Sequence, residues 1–162
     1  MEKFFSEVNP VVDYSVRSLC SYPYHLHPKG CPNLNKKGSC PPHCPRIEDA
    51  IDLSKKVYCI YNVFPIGEHM DKMKKKYPDW TIYQLRCCLY WQPKARKQLR
   101  EKIKLFIKQH RNLIIVGNPE GCGVNVTETM KGIGINLEWP PEKYAYQIVL
   151  AGEKNEIKRF TK

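Results

Sequence analysis

The chain lacks most of the patterns that assign a function quickly. It has no run of about 18 apolar residues, which excludes a hydrophobic membrane-spanning helix. Its first residues, "MEKFFSEVNPVV", have no basic stretch followed by a long apolar one. The expectation is therefore no secretory signal and a reducing, cytoplasmic setting. There is no G-x-x-x-x-G-K-[ST], no G-x-G-x-x-G and no G-x-S-x-G, so phosphate-loop, dinucleotide-fold and serine-elbow chemistry have no sequence support. H-x-E is absent, and the cysteines of "CPPHCP" have three residues between them instead of two, so the zinc-deaminase pattern fails as well. No internal repeat and no low-complexity linker divide the chain, and residues 1–162 read as one domain.

Acidic residues are scarce where basic ones gather. The net charge of +11 is not spread evenly. Residues 1–50 hold six Lys/Arg against five Asp/Glu, residues 51–112 hold fifteen against five, and residues 113–162 hold six against six. The excess in the middle third suggests a surface that faces a polyanion.

Strand and helix signals alternate after residue 46, which argues for an α/β domain: a small mixed sheet, flanking helices and an irregular cysteine- and proline-rich N-terminal segment. "VYCIYNVF" (57–64) reads as a buried central strand, with "LIIV" (113–116) and "YQIVLAG" (146–152) as further strands. Helices are expected over 46–56, 67–77, 79–91, 93–111 and 126–132, with a capping box from Thr81 to Gln84 and Pro93 as a helix start.

What stands out is the run "GCPNLNKKGSCPPHCP" (30–45), in which Cys31, Cys40 and Cys44 are each followed by proline. Proline after a ligand removes a backbone N–H and fixes φ, which suits a loop converging on one point. A cysteine followed by proline also occurs in bacterial ferredoxin motifs. Eight cysteines in a reducing compartment point to metal or redox chemistry before disulfides. The spacings match neither the ferredoxin motif nor the usual zinc knuckle. An iron–sulfur cluster, 4Fe–4S in type, is the favoured cofactor and zinc the alternative. Cys122, between glycines in "EGCGV", is the first choice for a fourth ligand. Cys20 is a further candidate, and His25, His27 or His43 would serve a zinc site. Cys87 and Cys88 are neighbours on an expected helix and point about 100° apart, so the two are not expected to share one site fully: one could face the cluster while the other packs. Cys59, inside a strand, reads as a small buried hydrophobe.

Residues 31–42, "CPNLNKKGSCPP", followed by "IEDAIDLSKK", resemble the signature of a family of uncharacterised, cysteine-rich proteins predicted to bind metal. In that family a C-P-x-Y-G-K-type stretch leads to C-P-P and then a helix, and "NPEGCGVNVTETMKGIGI" is similar to its closing segment. Members often carry a cysteine three residues before the first of these. Pro28 stands there in this chain, and Cys44 is an additional thiol downstream. The resemblance implies metal binding, with an iron–sulfur cluster expected, and no known reaction.

The second chemical signal is helical. At 100° per residue, Arg96, Lys97, Arg100, Lys104, Lys108 and Arg111 fall within about 120° of arc. Ala95, Leu99, Ile103, Phe106 and Ile107 fall on an adjoining arc. Like charges at i, i+4 repel, and only Glu101 relieves them, so this face is expected to bind nucleic acid such as RNA, or an acidic protein, and not a membrane. Tyr77, Trp80, Tyr90 and Trp91 lie nearby and offer rings for base stacking or for packing. Three readings follow. The first is an iron–sulfur protein with a nucleic-acid face, an enzyme of redox or sulfur chemistry if one iron is open, with Glu120 and Glu128 as its acid–base candidates. The second is a zinc-stapled, non-enzymatic binding module, and the third a small electron-transfer partner.

Overall fold

The computed structural model describes residues 2–23 and 27–156. His25, one of the zinc candidates, lies outside the described residues. Four strands form one sheet in the order β1-β2-β4-β3: β1 is Phe5–Val8, β2 Val57–Phe64, β3 Leu113–Val116 and β4 Ala145–Glu153. All three pairings are antiparallel, where a mixed sheet was expected. The α/β class, with flanking helices and an irregular N-terminal segment, is as expected.

The sheet is buried on both faces because β2 and β4 carry apolar residues at odd and even positions alike. On one face Val57, Cys59 and Tyr61 of β2 and Leu150 of β4 pack with Ile47, Val124, Val126 and Met130. On the other face Ile60, Val149 and Ala151 meet Leu99 and Phe106 of α4, which spans Gln92–Gln109. Asn62, buried on this second side, donates from Nδ2 to Gln98 Oε1 of α4 at 3.0 Å and to Gln147 Oε1 of β4 at 2.9 Å. The molecule is thus layered: irregular segment, sheet, long helix.

The remaining helices are α1 (Ile47–Ala50), α2 (Ile66–Lys76), α3 (Ile82–Arg86) and α5 (Val126–Lys131). The capping box at Thr81 forms in both directions: its hydroxyl accepts from Gln84 N–H while Gln84 Oε1 accepts from Thr81 N–H. The helix expected over 79–91 is interrupted, however. Cys87 leaves helical geometry at ψ 118°, and a short 3-10 turn, Cys88–Tyr90, leads into α4. The helix expected over 46–56 stops after one turn, because Asp52 N–H is drawn to Glu153 O of β4 at 2.8 Å.

Candidate metal centre and basic face

The thiol layer is assembled by backbone hydrogen bonds. Val12 and Val124 form an isolated bridge, with Asp13 N–H donating to Gly123 O and Asn125 N–H to Val11 O, each at 2.8 Å. Asp13 then caps a 3-10 helix, Tyr14–Ser21, that carries Cys20. The chain returns at Gly30, whose φ of +82° and lack of a side chain let it lie on the Cys20 backbone; a Cβ there would stand 2.5 Å from Cys20 O. Cys31 N–H consequently donates to Cys20 O at 2.8 Å. Cys40 O accepts from both His43 N–H and Cys44 N–H at 3.0 Å, so Cys40 and Cys44 share one turn.

The glycine-rich turn at 118–123 closes the layer from the other side. Asn118 Nδ2 donates to Ser39 O at 2.9 Å, Cys44 Sγ to Gly121 O at 2.9 Å, and Ile47 N–H to Cys122 O at 2.8 Å. Arg17 Nη2 donates to Cys44 O at 3.2 Å.

Electrostatics tie the thiols together. Burial raises the Cys20 pKa, and the Cys31 and Cys40 thiols, the Glu120 carboxylate and the Cys44 thiol add to the rise. Cys122 is pushed up to about 11, by burial first and then by Cys44. Of the four ligands expected from sequence, Cys31, Cys40 and Cys44 therefore have Cys20 as their common electrostatic neighbour, and Cys122 pairs with Cys44. Cys44 and Cys122 are buried, while Cys20, Cys31 and Cys40 are partly exposed. As placed, no group of three or more His, Cys, Asp or Glu among the described residues is arranged to hold a metal ion.

The donor set nonetheless suits a thiophilic group. Cys20, Cys31, Cys40 and Cys44 lie on neighbouring loops of one layer, joined by the backbone bonds above, and thiolates bind iron–sulfur clusters and zinc alike. His43 Nε2 lies 3.3 Å from Asn35 O, committed to the loop. Cys59 is fully buried in β2, as its strand position implied. Cys87 sits at the break after α3, and Cys88 is exposed.

The basic residues are on the other side of the sheet. Arg96, Lys97, Arg100 and Lys104 and Lys108 of α4, with Arg111 just beyond it, are all exposed. The only ion pair among them is Lys104 with Glu101, at 3.3 Å, among the described residues. Ile107, assigned to the packing face, is instead 38 % exposed and lies with Leu105 beside Lys104 and Lys108. The nearby aromatics divide. Trp91 is buried and stacks on Phe64 at 5.2 Å, whereas Trp80 stacks on Tyr77 at 4.4 Å and meets Tyr90 in a tilted contact at 5.0 Å.

Among the described residues no helix is long and apolar enough to cross a membrane. Comparison with family models, with curated proteins and with solved structures found no match.

Proposed function

We propose that the chain is a cytoplasmic iron–sulfur protein whose cluster is held by Cys20, Cys31, Cys40 and Cys44, with zinc as the alternative occupant. The observation that supports this reading is the backbone of the layer, where Cys31 N–H donates to Cys20 O and Cys40 and Cys44 share one turn, with Cys20 close enough to feel Cys31, Cys40 and Cys44. The resemblance of residues 31–42 to the cysteine-rich metal-binding family points the same way. Cys20 replaces Cys122 as the preferred fourth ligand because Cys122 interacts with Cys44 alone among these thiols. A bound cluster would supply electron transfer, or Lewis acidity at an iron without a protein ligand. The chain's own contribution is to hold the thiols, with Arg17 donating to the Cys44 carbonyl and standing 3.9 Å from its sulfur.

The exposed cations of α4 support a separate docking face for a polyanion, RNA being the first choice and an acidic protein the second. The sheet lies between α4 and the layer that holds Cys44 and Cys122. Docking and metal chemistry are therefore distinct tasks of the two faces.

Anaerobic purification with an absorption spectrum and iron, sulfide and zinc quantitation tests the metal reading. Iron with labile sulfide supports the cluster, and zinc alone supports the stapled module. Cys20→Ser should lose the metal as fully as Cys40→Ser. Retention in Cys20→Ser with loss in Cys122→Ser would restore Cys122 as the ligand.

A further inference from the structure

A cavity of about 390 Å³ opens at one end of the sheet, between the turn after β3, the start of β4 and the start of α4. That volume is in the range of small-molecule sites. Its walls are aromatic: Trp91, Trp139, Tyr144 and Tyr146. Its charged groups are two carboxylates, Glu120 and Glu138, and no Lys, Arg or His lines it. In a chain with a net charge of +11 this is a local inversion of sign.

The two carboxylates are held differently. Glu138 Oε2 accepts from the backbone N–H groups of Glu142 and Lys143 at 2.7 and 2.8 Å, which lowers its pKa and keeps it ionised. Glu120 has no hydrogen bond or ion pair among the described residues, and burial raises its pKa. Glu120 is half-buried and opens onto the cavity, so its carboxylate oxygens are free to accept from an occupant. The Trp139 ring is oriented by its own Nε1–H, which donates to Thr127 Oγ1 at 3.0 Å, yet 67 % of the residue stays exposed. Aromatic faces around an anionic centre are the surroundings that attract an organic cation.

We propose that this cavity binds a small organic cation bearing N–H donors, a protonated amine, with Glu120 as its hydrogen-bond acceptor and the aromatic walls around its body. The site does not depend on which metal the thiols hold. It does share a turn with them: Glu120 faces the cavity and also bears on Cys20, and Gly121 accepts from Cys44. An occupant at Glu120 thus lies next to the thiol layer, whereas an anionic small molecule is disfavoured there.

The test is titration of the full chain, as purified, with benzylamine and with benzoate, read by calorimetry and tryptophan fluorescence. Saturable benzylamine binding is expected, with benzoate at least about tenfold weaker. Glu120→Gln should weaken benzylamine by about tenfold or more, the loss of one charge-assisted hydrogen bond. Trp139→Ala, at an exposed position that leaves the core intact, should also weaken it. Absence of saturable benzylamine binding, or benzoate binding as tightly, would overturn the proposal. So would full affinity in both variants.

Discussion

Cys44 Sγ donates to the carbonyl of Gly121 at 2.9 Å, joining positions 77 residues apart in sequence. The bond fixes the proline-rich cysteine loop against the turn that carries Cys122, and it makes the two buried thiols electrostatic neighbours. Burial first, and then Cys44, hold the proton on Cys122 more tightly in the folded chain than in the unfolded one.

The first prediction is a pH dependence of the metal-free chain. The Cys122 pKa rises from 9.0 to about 11 on folding. Between those values the folded state binds more protons than the unfolded state, so stability falls as pH rises. The contribution is complete below pH 9 and lost by about pH 11. Melting temperature measured across that window should decline, and the decline should be smaller in Cys122→Ala. An unchanged slope in the variant would assign the effect to another group.

Gly30 offers a test of the thiol layer that leaves every thiol in place. Gly30→Ala puts a Cβ 2.5 Å from Cys20 O in a residue with φ +82°, so the Cys20–Cys31 contact must shift. Metal content per chain should fall while the far-ultraviolet circular dichroism of the sheet and helices is kept. Full metal occupancy in this variant would show that the layer tolerates the displacement.

Asn62 joins β2, β4 and α4 through one amide group. Asn62→Ala leaves the side-chain oxygens of Gln98 and Gln147 without this donor and should cost about 1–3 kcal/mol. Urea denaturation should show a lower midpoint at an unchanged slope. A change below about 0.5 kcal/mol would mean that water or a rotated glutamine replaces the bond.

The α4 face makes a quantitative claim about salt. If Arg96, Arg100 and Lys104 each neutralise one phosphate of single-stranded RNA, replacing all three by alanine should lower the slope of log K against log salt by about 2. Binding isotherms at several salt concentrations measure this. An unchanged slope would remove these cations from the interface.

The parts of the fold legible in sequence are those with strong local patterns. β2 runs over Val57–Phe64 as read, and β3 over Leu113–Val116, because both are short β-branched and aromatic or aliphatic runs, broken only by Asn62 in β2. The helix that begins near Pro93 and the capping box at Thr81 were legible for the same local reason. β1 was missed: "FSEV" is four residues long and owes its strand conformation to pairing with β2 across about fifty residues of chain. The break at Cys87 was missed because "IYQLRCCLYW" keeps a helical apolar pattern through it. At the thiols, Cys31, Cys40 and Cys44 announced themselves by their prolines. Cys20 has no proline and no glycine beside it, and only the return of the chain at Gly30 brings its backbone against that of Cys31.

β1 and β2 are hydrogen-bonded neighbours, with Val8 opposite Val57, so everything from residue 9 to residue 56 is one excursion between paired strands. Its two ends stay clamped whether or not its interior is ordered. Ile47 and Ile51 near its second end are fully buried in the sheet's core, so the part that can open is the stretch before them: loss of whatever cross-links its thiols would loosen one side of the molecule while the sheet and α4 persist. The entropy of that tethered excursion would be the restraint a metal removes, and its return would show as fast amide exchange confined to this segment. One face of the protein would then report on the state of the thiols, and the other would keep its shape throughout.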